Sequence, residues 1–169
     1  MLIAILSDSH DNLTSVDKAL EILRSRNVSY VIHLGDIVSP FTMLKLLQYP
    51  ARFVFVLGNN DGDVLTLKEL AYKAGAIVKQ QVHEFSIRDR KLLAIHGFGS
   101  KDLTEKIVYS VAQSAHYDIV LYGHTHSLKI ERIGKTLIIN PGELCGYLTG
   151  KRTFVLLDVD TMSYEIVEF

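Results

Sequence analysis

Side chains that can bind metals stand immediately after five apolar, strand-like runs of this chain. The clearest case is the segment Gly123-His124-Thr125-His126, in which two histidines directly follow the run 119–122. A lone histidine is commonly a packed or surface residue, so this pattern gains weight only because other runs end in the same way. The donors that follow the runs are Asp8 and His10, Asp36, Asn59 and Asp61, His96, and His124 and His126. Their imidazole and carboxylate groups indicate a transition-metal centre.

Seven of these residues are too many ligands for one tetrahedral zinc ion. They are Asp8, His10, Asp36, Asn59, His96, His124 and His126. We therefore predict two divalent ions that share a carboxylate, and the ligand types favour manganese, iron, cobalt, nickel or zinc over calcium or magnesium. Two divalent ions, two aspartates and one bound hydroxide leave a site charge near +1, which favours a small anion such as a phosphate ester.

The first half of the chain must supply parallel strands that bring these donors together. Continuous apolar runs predict buried strands at 2–6, 30–34 and 53–57, each followed by a helix. The first helix has an apolar stripe of Leu13, Val16, Leu20 and Leu23. The second begins at Ser39 and Pro40, with Met43, Leu44 and Leu47 as its predicted buried stripe, and the third covers 65–73.

The second half is richer in strands. We predict strands at 77–79, 84–87, 91–95, 119–122, 128–133, 136–139, 153–159 and 164–169. The helix between the third and fourth of these has a predicted stripe of Leu103, Ile107, Val111 and Ala115. This order favours an α/β (α+β) fold with either one mixed sheet or two sheets packed face to face with helices outside. Ligands bind at the carboxyl ends of such strands, where the donors converge.

Composition limits the class of protein. The 169 residues are 48% hydrophobic and 22% charged, show no linker, and are expected to form a single domain over 1–169. A net charge of −1 argues against an extended nucleic-acid surface. One cysteine, no signal peptide and no membrane-length apolar run favour a cytoplasmic protein, and the strand-rich end 153–169 offers an edge for homo-oligomers.

Five motifs, in order and spacing, resemble the calcineurin-like metallophosphoesterase superfamily. They are Asp8-x-His10, Gly35-Asp36, Gly58-Asn59-Asn60-Asp61, His96-Gly97 and Gly123-His124-Thr125-His126. The resemblance runs from Met1 past Gly150 and is strongest to the small, cap-less archaeal and bacterial phosphodiesterases. It implies two mixed sheets packed as a sandwich and flanked by helices, and a bridging hydroxide that attacks phosphorus in line.

The resemblance also implies a division of the ligands between two ions. Asp8, His10, Asp36 and His126 would hold one ion, and Asp36, Asn59, His96 and His124 the other. Asp36 would bridge them. The two neighbouring histidines of the opening motif would therefore serve different ions.

Two positions depart from the family pattern. Most members have a histidine where this chain has Asn60, which can donate a hydrogen bond but cannot supply a proton at neutral pH. Phe98 replaces a second histidine after His96-Gly97 and is expected to shape the rim. We predict Asn60 and Asp61 as the catalytic candidates, with Asp61 either orienting Asn60 or a ligand histidine, or capping the following helix.

Other conspicuous residues receive more ordinary interpretations. His33 is expected to pack or to contact a metal ligand, 140–142 to form a turn whose loop borders the metals, and Cys145 to be an incidental thiol. The predicted activity is a phosphodiesterase acting on a small phosphoester. The alternatives are a phosphomonoesterase or nuclease with the same metals, or a non-catalytic scaffold like a eukaryotic trafficking subunit of this fold that has lost metal ligands.

Overall fold

The structure is a computed structural model that describes residues 1–169 and contains eleven strands and four helices. The strands are β1 Leu2–Leu6, β2 Tyr30–His33, β3 Arg52–Leu57, β4 Ile77–Gln80, β5 Val82–Ile87, β6 Arg90–Ile95, β7 Ile119–Tyr122, β8 Leu128–Ile133, β9 Thr136–Pro141, β10 Thr153–Asp158 and β11 Ser163–Glu168. The helices are α1 Leu13–Arg24, α2 Pro40–Leu46, α3 Val64–Lys73 and α4 Lys101–Gln113.

The strands form two mixed sheets. The six-stranded sheet has the order β11-β10-β1-β2-β3-β4, in which β1 to β4 are parallel and β10 and β11 are antiparallel to their neighbours. The five-stranded sheet has the order β5-β6-β7-β9-β8, with β6, β7 and β9 parallel. The prediction of two mixed sheets flanked by helices is confirmed, and β11 is the predicted strand at the edge.

Each central strand is buried on both faces, which explains its unbroken apolar run. In β1, Ile3 and Ile5 lie in the core between the two sheets, whereas Ala4 and Leu6 lie in the core that α1, α2 and α3 cover. A smaller cluster joins α4 to the outer face of the five-stranded sheet. Packing between the sheets therefore fixes where the ends of β1, β2 and β3 meet the ends of β6 and β7.

The predicted buried faces of two helices were wrong by about one residue. In α4 the buried residues are Thr104, Val108 and Ala112, and Leu103 is 46% exposed. The apolar pattern did not indicate this face because it includes the polar residue Thr104. Thr104 can be buried because its hydroxyl hydrogen-bonds the backbone N–H and carbonyl of Phe98, at 2.9 and 3.0 Å. In α2 Met43 is buried as predicted, but the other buried residues are Thr42 and Leu46, whereas Leu44 is exposed and Leu47 is half-buried.

None of the four helices is long and apolar enough to cross a membrane.

The buried face of α4 can be tested with the same substitution at two positions of one helix. Val108→Ala removes two methyl groups that are fully buried against the sheet, so we expect it to lower the free energy of unfolding by about 2 kcal/mol. Val111→Ala, on the predicted but half-buried stripe, should cost less than about 1 kcal/mol. Urea unfolding of both variants measures the difference, and a larger loss for Val111→Ala would contradict the observed orientation.

Candidate metal centre

The loops after β1, β2, β3, β6 and β7 meet at one edge of the sandwich, and the seven predicted donors lie there in two groups. We call Asp8, His10, Asp36 and His126 the first group, and their ligand atoms all lie within 4.8 Å of one another. His126 Nε2 is 3.4 Å from Asp8 Oδ1, and His10 Nε2 is 3.4 Å from Asp36 Oδ2. The structure thus assembles four donors from the two sheets around one small volume.

The second group consists of Asn59, His96 and His124 together with the other oxygen of Asp36. Asn59 Oδ1 lies 2.9 Å from both His96 Nε2 and His124 Nδ1. His96 Nε2 is 3.4 Å from Asp36 Oδ1. The two oxygens of the Asp36 carboxylate therefore face different groups, and His124 and His126 point to different groups as well.

Hydrogen bonds on the far side of each ring fix which nitrogen of three histidines faces the site. His96 Nδ1 is 2.7 Å from the carbonyl oxygen of Leu34, and His124 Nε2 is 2.7 Å from that of Gly99. A carbonyl oxygen only accepts, so each of these nitrogens carries the proton. His126 Nδ1 is likewise 2.6 Å from a carboxylate oxygen of Glu143. The remaining nitrogen of each ring, Nε2 of His96 and of His126 and Nδ1 of His124, faces the donors of the site, as metal ligation requires.

The first group also contains buried polar atoms that the protein itself does not satisfy. Asp8 Oδ1 and His10 Nε2 are both buried and have no hydrogen-bond partner. An unsatisfied buried polar atom costs about 1–3 kcal/mol, so such atoms are rare unless they serve a ligand. A carboxylate oxygen and an imidazole nitrogen are donors that suit a divalent transition metal, so the first group fits a cation.

Two aspartates at the centre differ in their electrostatic surroundings. Burial raises the pKa of Asp36, but the hydrogen bond and charge of His96 and two donors from Asn60 outweigh it, and the pKa lies well below its usual range. Those donors are the Asn60 backbone N–H at 2.9 Å and its side-chain amide at 2.8 Å. Burial dominates at Asp8 and raises its pKa. The donors around Asp36 therefore favour its ionised form, whereas burial disfavours the ionised form of Asp8.

Asp61 holds the backbone of the loops that carry Asp36 and Asn59, and it does not cap a helix. Its carboxylate accepts hydrogen bonds from the backbone N–H groups of Asp36, Val38 and Gly58, at 2.7 to 3.1 Å. Asp63 caps α3 instead, by accepting from Thr66. The predicted helix cap was wrong, and the predicted orientation of Asn60 or a ligand histidine was wrong too, because every hydrogen bond of Asp61 is to a backbone N–H group of the loops that carry Asp36 and Asn59.

His33 is a packed residue whose two nitrogens are both engaged. Its Nδ1 accepts from the Gly35 N–H at 3.2 Å, and its Nε2 lies 3.0 Å from the Ser9 hydroxyl. Complete burial lowers the pKa of His33 to about 3, so the ring stays neutral. His33 thus joins the loops after β1 and β2 without reaching either group of donors.

The residue that sequence reasoning missed is Glu143. It is fully buried in the loop after β9, where the sequence predicts only a turn, and it contacts His126. A signal was available, since Glu143 also follows a strand that runs parallel to its neighbour β7. Burial raises the pKa of Glu143, but donors led by His126 and Thr149 outweigh it and lower the pKa to about 2. This third anion was left out of the charge count that gave +1.

The rest of that loop supports its neighbours. Asn140 donates from its amide to the Gly123 carbonyl at 3.2 Å and the Thr125 hydroxyl at 2.9 Å, so it braces the loop that carries His124 and His126. Burial raises the pKa of the Cys145 thiol to about 12, which keeps it protonated. Phe98 packs against the cluster between α4 and the five-stranded sheet.

Comparisons with known proteins show similarity to phosphoesterases over nearly the whole chain. A family model described as the calcineurin-like phosphoesterase superfamily domain matches residues 1–162. A phosphodiesterase of Methanocaldococcus jannaschii is 39% identical over 171 residues, which cover 99% of both chains. A solved structure of an archaeal phosphodiesterase has a TM-score of 0.92 and 37% identity over the full length of both chains. The resemblance to the small, cap-less branch is confirmed.

A further solved structure bears on the alternative of a scaffold. Vps29 of Entamoeba histolytica, described as complexed with Zn²⁺, has a TM-score of 0.72 and 19% identity, and 99% of each chain is covered. At this identity the likeness shows the fold alone. A protein of this fold can therefore hold a metal ion.

The close packing of the two groups predicts that Gly58 cannot be replaced. A Cβ atom at Gly58 would collide with Asp36 Oδ1 and lie 2.6 Å from the Asp36 nitrogen and 2.7 Å from His96 Cε1. We expect Gly58→Ala to cost about 1–3 kcal/mol of stability and to weaken metal binding. Gly62→Ala, in the same loop with nothing within 4 Å, is the matched control and should behave like the wild type. Equal metal binding by both variants, measured by titration calorimetry, would contradict this packing.

His33 predicts a dependence of stability on pH. The unfolded chain takes up a proton at His33 near pH 6.5, and the folded chain resists it down to about pH 3. The free energy of unfolding should therefore fall as the pH drops from 6.5 towards 3, because the unfolded state binds more protons. His33→Asn keeps an acceptor for the Gly35 N–H but does not titrate, so its stability should fall less steeply. Urea unfolding with a chelator at several pH values measures both slopes, and parallel slopes would refute the prediction.

Proposed function

Because this chain belongs to the calcineurin-like phosphoesterase superfamily, we propose that it is a metal-dependent phosphodiesterase with a dinuclear centre. The observation that carries this proposal is the Asp36 carboxylate, whose two oxygens face two separate groups of donors. A carboxylate placed in this way is suited to bridge two ions. The first group would hold one ion and the second group the other, each a divalent manganese, nickel, iron, cobalt or zinc.

The two ions would supply the main chemistry of the site. Bound at these residues, they would supply Lewis-acid stabilisation of phosphoryl oxygens and would activate a water as the nucleophile towards phosphorus. The protein contributes fixed directions for its ligands. The hydrogen bonds from His96 and His124 to carbonyl oxygens, and from His126 to Glu143, keep the three rings from rotating and keep the correct nitrogen unprotonated.

Asn60 limits which esters this site can cleave quickly. Its amide donates to Asp36 Oδ2 at 2.8 Å, so it positions the bridging carboxylate, and it has no proton to give to a leaving group. General acid catalysis is worth about 10²–10⁴-fold. We therefore assign activated diesters with good leaving groups as the preferred test substrates.

The net charge of the chain and its similarity to a phosphodiesterase support the proposed substrate class. The net charge of −1 supports a small phosphoester over an extended polynucleotide. A diesterase is favoured over a monoesterase because the phosphodiesterase of Methanocaldococcus jannaschii matches this chain over nearly its whole length. Rates on a monoester, a diester and a polynucleotide, measured side by side, separate the three activities.

The test is hydrolysis of bis-p-nitrophenyl phosphate with added manganese or nickel. Asp36→Asn and His124→Ala should each lower the rate by about 10³-fold or more, since a bound metal contributes several kcal/mol to the transition state. His116→Ala, which changes an exposed histidine outside the site, is the matched control and should keep full activity.

Metal analysis of the same proteins completes this experiment. We expect about two ions per wild-type chain, and fewer in the two variants that lack a ligand. Absence of hydrolysis with every divalent metal, or full activity in Asp36→Asn, would overturn the proposal. Bound metal without any hydrolysis would favour the scaffold, since a Vps29 of the same fold is described as a zinc complex.

A further inference from the structure

Glu143 is the most heavily hydrogen-bonded carboxylate near the site, and its two oxygens share only the Leu148 N–H as a common donor. Oε1 accepts from the Thr149 N–H at 2.6 Å, from the Thr149 hydroxyl at 2.7 Å and from the Leu148 N–H at 3.0 Å. Oε2 lies 2.6 Å from His126 Nδ1, 3.2 Å from Cys145 Sγ and 3.2 Å from the Leu148 nitrogen. Both oxygens thus hold the 145–149 loop, and Oε2 also faces a predicted metal ligand.

The ring of His126 has a charged hydrogen-bond acceptor, whereas the rings of His96 and His124 have neutral ones. His96 and His124 donate to neutral carbonyl oxygens, whereas His126 donates to a carboxylate. A charged acceptor raises the basicity of the opposite ring nitrogen and strengthens its bond to a cation. That nitrogen, His126 Nε2, is 3.4 Å from Asp8 Oδ1, an oxygen without any hydrogen-bond partner.

We propose that Glu143 is a positioning residue that acts through His126: it accepts a hydrogen bond from the Nδ1–H group and so makes Nε2 a stronger ligand for the ion of the first group. This rests on the proposed function only in that both need a cation in the first group. Glu143 also places more negative charge near the first group than near the second. Asp8, one oxygen of Asp36 and the neighbouring Glu143 lie at the first group, whereas only the other oxygen of Asp36 lies at the second. The first group should therefore bind its ion more tightly.

The experiment is a titration of the metal-free protein with Mn²⁺ by calorimetry. His126→Ala and His124→Ala, each losing a ligand of one group, assign the two binding steps. Glu143→Gln keeps the size of the side chain but loses its charge, and we expect it to weaken the first-group step by about 10–100-fold and leave the second-group step unchanged.

A matched control separates this role from support of the loop. Thr149→Val removes a donor from Oε1 and leaves the contact between Oε2 and His126 in place. It should lower the melting temperature of the metal-free protein but keep both binding steps close to those of the wild type. Equal weakening of both steps in Glu143→Gln, or no weakening, would overturn the proposal.

A double mutant tests whether Glu143 acts through His126. In the His126→Ala background, Glu143→Gln should add no further loss of affinity, because the residue through which it acts is gone. A full additional loss would mean that the carboxylate acts by another route and would refute the proposal.

A measurement on the unaltered protein applies even if Glu143→Gln does not fold. Long-range proton–nitrogen correlation spectra of the metal-free protein report which nitrogen of His126 carries the proton. The proposal requires the proton on Nδ1 and a lone pair on Nε2, and a neutral ring with its proton on Nε2 would overturn it. None of these readouts depends on hydrolysis, so failure of the phosphodiesterase proposal leaves the test of Glu143 intact.

Discussion

Seven donor side chains from five loops can share one small volume only where the backbones of the two sheets nearly touch. Gly123, after β7, occupies a point at which a Cβ atom would collide with the Ser7 hydroxyl and lie 3.0 Å from the Leu34 carbonyl, both in loops that follow strands of the opposite sheet. Gly58 does the same against Asp36 and His96. The packing of aliphatic side chains between the sheets sets the spacing at the centre of the sandwich, and the glycines allow it to narrow at this one edge.

The same crowding sets the conformation of the backbone that carries the donors. Asp8, His10, Asp36, His124 and His126 all have positive φ angles, between 42° and 67°. Asp and His tolerate this left-handed region better than most side chains, so the residue types that bind metals also suit the turns that hold them. Hydrogen bonds between loops keep the turns in place, as when the Asp8 N–H donates to the Gly35 carbonyl and the His124 N–H to Asp8 Oδ2.

Sequence reasoning succeeds where a local pattern has a local cause and fails where the cause is distant. The strands were predictable because burial on both faces requires continuous apolar runs, and the donors because they stand at the ends of those runs. The buried face of α4 could not be predicted in this way, because Thr104 is buried through hydrogen bonds to a loop that lies before the helix. Glu143 was missed for a related reason, since its partner His126 is seventeen residues away.

The distribution of hydrogen-bond partners among the charged groups shows which atoms of the site suit a cation. The protein satisfies Asp36 by itself, with two donors from Asn60, and satisfies Glu143 with the 145–149 loop and His126. It leaves Asp8 Oδ1 and His10 Nε2 without partners in a buried position, at a cost of about 1–3 kcal/mol for each atom. A cation bound by these two atoms would remove that cost, so its binding would also stabilise the fold. The atoms of the site with the fewest partners are therefore those that a cation would stabilise most, which would link the stability of this edge to its chemistry.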